Sequence, residues 1–285
     1  MNGLRSELRL YAAFVKQNLR QLSQVPKILR AYNGDRPIFV YQMGKVGSTN
    51  LYEGANEQRG ESSFFHLHRV NREFIRKLKE SYNSNAISPY FFYNFSALRM
   101  APILKNERGR GRVRILCPIR EPLTRNVSHF FHDIERFYNW RSPPRGVDDL
   151  AEMFERKFEH WYPDAWFSEE FKKTTDVDVF SEPFPKSRGF KIYTTDKHDI
   201  LLFKVEATNS EEFANAFRAF TGCEYTKEKK HNVGISRHYA SMYRDFLQSR
   251  SLSSSFISQL YSGSLVANHF YMSRELEEAA KRFTQ

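Results

Sequence analysis

Short, mainly apolar runs alternate with stretches of helical periodicity along this chain. Runs at 38–41, 63–67, 90–95 and 112–119 have the length and composition of buried strands. Between and after them, apolar residues spaced three and four apart predict a helix from about 48 to 58 and a charged one over 71–81. Another helix begins at Pro122, where proline suits the first helical position. Residues 141–147 read as a loop, 147–160 and 163–171 as helices, and 189–194 with 199–205 as a strand pair. Thr208, Asn209 and Ser210 then cap a helix running to about 220, and helices follow near 238–249, 253–261 and 273–283. Strands that alternate with helices predict an α/β fold, a central parallel β-sheet with helices on both faces. Neither an internal repeat nor a low-complexity linker interrupts 36–285, which reads as a single domain. Residues 1–35 precede it as an amphipathic basic helix, with Leu4, Leu8, Tyr11, Phe14, Val15, Leu19 and Leu22 on its apolar side.

Composition narrows the picture. The 285 residues suffice for one large α/β domain, and 26 Phe with 15 Tyr give bulk to a core that 40% apolar content alone would leave thin. Lys and Arg outnumber Asp and Glu by 44 to 33, a net charge of +11. That balance implies an anionic partner: nucleic acid, acidic phospholipid, a polyanionic sugar or a highly phosphorylated cofactor. Cys117 and Cys223, far apart, fit neither a disulfide framework nor a zinc site, and Cys117 falls in an apolar run that should bury it. No stretch approaches the ~20 apolar residues of a membrane span, and no signal-peptide core opens the chain. Asn94-Phe95-Ser96 and Asn126-Val127-Ser128 are formal glycosylation sequons, but the second lies in a motif argued below to be functional. A cytoplasmic location is therefore expected. The N-terminal helix either docks on the domain or rests on the inner face of the membrane.

The candidate chemistry starts where the first strand breaks into Gly44-Lys45-Val46-Gly47-Ser48-Thr49. Glycines let a backbone approach an anion, its N–H groups point inward, and a following helix N-terminus favours negative charge. A nucleotide triphosphatase loop carries its lysine after the second glycine. Here Lys45 precedes Gly47, so the cradle is of phosphate-loop type without being a Walker loop. A second constellation runs from Arg120 through Glu121, Pro122 and Arg125 to Ser128. Arg120 leaves the end of a strand and Ser128 lies about two turns into the next helix. Both could face a crevice at the carboxyl ends of the strands, where open α/β sheets bind ligands.

Taken together, the two motifs make the chain resemble the sulfotransferases that use 3′-phosphoadenosine-5′-phosphosulfate (PAPS). Their strand-loop K-x-G-[ST]-[ST] is matched by Lys45, Gly47, Ser48 and Thr49. Their R-[DE]-P-x-x-R-x-x-S is matched by Arg120, Glu121, Pro122, Arg125 and Ser128. The resemblance implies a P-loop-like fold in which Gly44 to Thr49 grip the 5′-phosphosulfate and Arg120 and Ser128 hold the 3′-phosphate. Within the superfamily the chain is most similar to enzymes that sulfate polysaccharides, capsule-biosynthesis relatives and uronyl 2-O-sulfotransferases among them. Phe65-His66-Leu67-His68-Arg69-Val70-Asn71 carries that finer likeness, which implies His68, or alternatively His66, as general base. Lys227 to Asn232 would close over the nucleotide, with Lys230 and Asn232 as contacts and Arg237 nearby. Glu206 reads as structural, and His129 and His132 as packing or solvent-facing.

The expected reaction is in-line sulfuryl transfer from PAPS to a hydroxyl, with Lys45 stabilising the leaving phosphate and no metal required. A His-x-His pair without a third ligand nearby does not make a metal site. The expected acceptor is a carbohydrate, possibly anionic; nucleic acid is not expected as a partner. Trp140, Arg141, Arg145, Trp161, Tyr162 and Trp166 offer platforms for sugar rings, although most such aromatics end in cores. A sugar or nucleotide kinase with an atypical loop, and a non-catalytic nucleotide-binding protein, are the alternatives.

Overall fold

Among the described residues, five strands form one sheet in the order β2-β1-β3-β5-β4. They are β1 (Ile38–Tyr41), β2 (Phe64–Leu67), β3 (Val113–Ile119), β4 (Phe190–Thr194) and β5 (His198–Lys204). The computed structural model describes residues 37–48, 64–81, 99–107, 111–134, 143–225 and 239–284, with 19, 23, 25–30, 51, 55, 58, 109 and 137. The expected strand at 90–95, most of the N-terminal helix, Thr49, Trp140, Arg141, Lys230, Asn232 and Arg237 lie outside these residues.

β1 is parallel to β2 and β3, and β3 is parallel to β5. The expectation of a parallel sheet is corrected at one edge, where β4 runs antiparallel to β5, with Phe190 opposite Phe203. Only Thr195, Asp196 and Lys197 join the two strands. A link that short closes a hairpin, through Thr195 N–H to His198 O at 2.8 Å, and cannot make a parallel crossover.

Alternation along the strands sends successive side chains to opposite faces. Phe39, Tyr41, Phe65, Ile115, Cys117 and Leu202 pack with α1 (Arg72–Ser81), the helical residues 99–104 and a longer helical segment, α4. α4 runs from Tyr162–Ala165 through a π-helical Trp166–Phe171 to Lys172–Thr175. Ile38, Val40, Phe64, Leu116, Leu201 and Phe203 pack on the other side with Leu51, Ala55 and α5 (Glu211–Thr221). Both faces are thus covered by helices, and Cys117 and Cys223 are both buried and lie outside any disulfide.

A separate cluster joins α2 (Pro122–His132) and α3 (Val147–Lys157) to α6 (Ala240–Ser249), α7 (Ser254–Gly263) and Phe283. The helix expected over 147–160 ends at Lys157, and that expected over 163–171 extends from Tyr162 to Thr175. A short helix, α8 (Leu265–Phe270), was not foreseen in the pattern; α9 (Ser273–Ala280) follows it. Val25 and Ile28 of the N-terminal segment are helical and buried against the first face. Among the described residues, no helix is long and apolar enough to cross a membrane.

Candidate functional site

The loop after β1 is shaped by three departures from ordinary backbone within four residues. Gly44, Lys45 and Gly47 have φ of 88°, 63° and 70°, and helical backbone begins at Ser48. Glycine adopts this left-handed region without strain; Lys45 does so at a cost of roughly 1–3 kcal/mol, which its surroundings must over-determine. Those surroundings are two arginines. Arg125, fully buried on α2, donates from Nε to Gly44 O and from Nη2 to Met43 O, both at 3.3 Å. Its third contact, Nη1 to Asn126 Oδ1 at 2.9 Å, and the Tyr162 ring 4.6 Å from its guanidinium fix the fork in place. Arg120 donates from Nη1 to Lys45 O at 3.3 Å. In a trans peptide the following N–H points opposite to the carbonyl. With three successive carbonyls turned to the arginines, the N–H groups of Gly44, Lys45 and Val46 point away from them; that of Gly44 is taken by Gln42 Oε1, and those of Lys45 and Val46 are oriented as an anion-binding nest requires.

Beside the loop stand the two histidines of the β2 end. Period-two spacing puts His66 and His68 on one side of the strand, and their rings lie 4.4 Å apart at 64°. The Gln42 side chain, buried at the end of β1, connects them to the loop. Its Oε1 accepts the Gly44 N–H, and its Nε2 lies 2.9 Å from Ser48 Oγ, 2.7 Å from His66 Nε2 and 3.0 Å from His68 Nδ1. Ser48 Oγ is also 3.0 Å from His66 Nε2, so its hydroxyl, expected to face phosphate, is already engaged by Gln42 and His66. Burial pushes His66 down to about 4. His68 is held well below the ordinary histidine value, by burial first and then by His66, Arg69 and Lys45. Both imidazoles are therefore neutral at pH 7, the form that can accept a proton.

A second layer holds the His68 segment. Trp166 Nε1 donates to His68 O at 2.9 Å, and Glu170 Oε1 accepts from Val70 N, from Asn71 N at 3.0 Å and from the Tyr41 hydroxyl at 2.5 Å. Glu170 is fully buried, its Oε2 has no hydrogen-bond partner among the described residues, and burial raises it to about 7 against those three donors. Both side chains come from the π-helical turn of α4, whose widened backbone is frequent at functional sites. Trp166 is thus core, whereas Trp161 stands 44% exposed and Arg145 is exposed.

α2 begins with Glu121, whose carboxylate caps Leu123 N at 2.7 Å and Thr124 N at 2.8 Å. The Glu121 N–H donates to Glu206 Oε1 at 3.0 Å, and Tyr271 donates its hydroxyl to Glu206 Oε2 at 3.3 Å. Glu206 is accordingly a brace at the end of β5, as expected of it. Ser128 is partly exposed one turn beyond Arg125. His129 is buried against Phe158 and Tyr162, with Nε2 3.3 Å from Asp133 Oδ2.

The structure therefore brings Gly44, Lys45, Val46, Gly47, Ser48, His66, His68 and Arg120 together at the carboxyl ends of β1, β2 and β3. Gln42 and Glu170 were not foreseen in the sequence, Trp166 was expected as a platform for a sugar ring and is instead a buried donor to His68 O, and Arg125 was foreseen as a motif position without its role. Chemically the arrangement offers a nest of N–H groups, a lysine, an arginine and neutral imidazoles within one cluster. Comparison with known proteins speaks to a different part of the chain. The family NKWYS, described as "Putative capsular polysaccharide synthesis protein", matches residues 144–272, a little under half of the chain and beyond both motifs. No curated protein and no solved structure matches the chain. The similarity that comparison supports is to a capsule-related family, across α3 to α8.

Proposed function

We propose that the protein is a PAPS-dependent sulfotransferase acting on a hydroxyl of a carbohydrate, in the synthesis of a capsular polysaccharide. The observation that carries this reading is the loop: Lys45 in a left-handed conformation between two glycines, its carbonyl and those before it held by Arg120 and Arg125. Such a loop, at the end of a parallel strand and leading into a helix, suits a phosphorylated anion and a P-loop-like fold. The capsule-related match is in keeping with a polysaccharide acceptor.

In this reading the acceptor oxygen attacks sulfur in line with the bridging oxygen of the donor. The new O–S bond forms as the S–O bond to the 5′-phosphate breaks, leaving adenosine 3′,5′-bisphosphate. Lys45 and the loop N–H groups stabilise the charge that grows on the leaving phosphate. A neutral histidine of the pair takes the acceptor proton, a contribution of typically ~10²–10⁴-fold. Arg120 and Ser128 would hold the 3′-phosphate, with Thr49, Lys230 and Asn232 as further contacts. The experiment is radiolabelled sulfate transfer from PAPS across a panel of glycans, with Lys45→Ala beside the natural chain. Transfer that disappears in a variant of unchanged melting temperature is expected. Transfer that survives in Lys45→Ala, or magnesium-dependent ATP turnover without any sulfate transfer, would refute the proposal.

A further inference from the structure

The protons around Gln42 decide a question the histidine pair leaves open. The side-chain amide could be placed with its oxygen and nitrogen exchanged, but Gly44 N–H needs an acceptor, so the oxygen faces Gly44 and the NH2 group faces the histidines. That NH2 group has two protons and three neighbours: Ser48 Oγ, His66 Nε2 and His68 Nδ1. The backbone resolves the excess. His68 Nδ1 lies 3.1 Å from the Gln42 carbonyl oxygen, which can only accept, so a lone pair at Nδ1 would face another lone pair. His68 Nδ1 therefore carries a proton and donates it to Gln42 O. The two amide protons go to Ser48 Oγ and His66 Nε2, at 2.9 and 2.7 Å.

We infer that Gln42 is the positioning residue of the site: its amide makes His66 an acceptor at Nε2, its carbonyl makes His68 a donor at Nδ1, and the lone pair left for an incoming proton is that of His68 Nε2. The inference rests on the sulfotransferase reading only for what that lone pair does. Among the described residues no hydrogen bond reaches His68 Nε2. The His66 lone pair, by contrast, is already filled by an amide that in turn ties down the loop at Gly44 and the helix start at Ser48. One buried side chain thus links the anion nest to the base and keeps His66, 4.4 Å away, uncharged. Arg69 and Lys45 are the permanently charged groups acting on His68, both cationic and both disfavouring the imidazolium.

The test is made on the full chain with nitrogen-15-labelled histidine, reading ring tautomers by NMR and sulfate transfer in parallel. In the natural protein, His68 is expected as the Nδ1–H tautomer and His66 as a ring unprotonated at Nε2. Gln42→Glu replaces the donor at His66 with an acceptor. His66 Nε2 should become protonated, His68 should keep its tautomer because the carbonyl is unchanged, and kcat should fall tenfold or more while acceptor KM moves less than threefold. Gln42→Met, of similar shape but without donors, should leave His66 populating both tautomers; if it fails to fold, Gln42→Glu decides alone. A His68 ring protonated at Nε2 in the natural protein, or a His66 ring indifferent to Gln42→Glu, overturns the inference. Tautomers as expected in a protein that transfers no sulfate uphold the role of Gln42 and refute the sulfotransferase reading instead.

Discussion

Replacing Arg125 by lysine tests the loop most directly, because it keeps the charge and removes the fork. A lysine ammonium at that depth can reach one of the two carbonyls at Met43 and Gly44, and it leaves the planar contact with Tyr162. Hydrogen bonds from a charged donor are worth roughly 1.5–3 kcal/mol; the two here, at 3.3 Å, belong at the weak end. A carbonyl left buried without a donor costs about 1–3 kcal/mol, and the guanidinium–ring contact adds about 1 kcal/mol. Against these stands desolvation: a buried guanidinium is itself expensive, but lysine's ammonium is no cheaper, so that cost does not reverse the sign. The net expectation is a loss of about 2–4 kcal/mol, which at roughly 2–4 °C per kcal/mol is a fall of about 4 °C or more in melting temperature. The assay is thermal unfolding together with calorimetric binding of adenosine 3′,5′-bisphosphate, whose affinity should drop tenfold or more as the carbonyls lose their orientation. A variant that melts within about 1 °C of the natural chain and binds the nucleotide equally well would show that the arginine does not shape the loop.

Glu170 predicts a pH dependence. Its folded value of about 7 lies above the ordinary 4.5, so the folded state holds a proton that the unfolded state releases, and stability should fall as pH rises from about 4.5 to 7. Glu170→Gln should flatten that fall and melt no lower than the natural protein at pH 8, as measured by urea unfolding across the range; an unchanged pH slope would refute it. Trp166→Phe removes the indole donor to His68 O and should cost about 1 kcal/mol, with faster hydrogen exchange along 68–71; unaltered exchange would count against the clamp. Gly189→Ala would set a methyl 2.3 Å from Ala207 Cβ at a φ of 78°, so a soluble variant with native melting behaviour would contradict the packing there. Overpacking and left-handed strain together put its expected loss at about 2–5 kcal/mol.

Much of this fold is written in short-range pattern. Ile38 to Tyr41 and Val113 to Ile119 announce buried strands because nearly every residue is apolar, Arg114 apart, and Ser210 and Pro122 mark helix starts by chemistry that acts within a turn. Strand direction is not written that way: nothing in Phe190 to Thr194 says antiparallel, and only the three-residue link to His198 enforces it. α8 spans six residues, too few to show a helical period, and owes its start to Asp164 of α4, which accepts from Val266 N at 2.8 Å and Leu265 N at 3.1 Å. The glycines, Lys45 and the His-x-His spacing of the site are equally local. Gln42 gives no such signal, because its partners arrive from β2 through a register that sets Val40 opposite His66. Trp166 and Glu170 come from a hundred residues away and read as ordinary core and surface positions until the π-helical turn aims them at the His68 segment.

α2 belongs to two neighbourhoods at once. Arg125 faces the loop, while Leu123, Val127, Phe130 and Phe131 are embedded with α3, α6, α7 and Phe283. Any occupant that stiffens the loop must therefore be felt in the cluster that ends at residue 283, by linkage rather than by contact. Damage runs the other way along the same helix. A change at Phe246 or Phe283 that loosens the cluster would weaken anion binding in a chain whose loop sequence is intact, so lost activity alone would not locate a lesion in this protein.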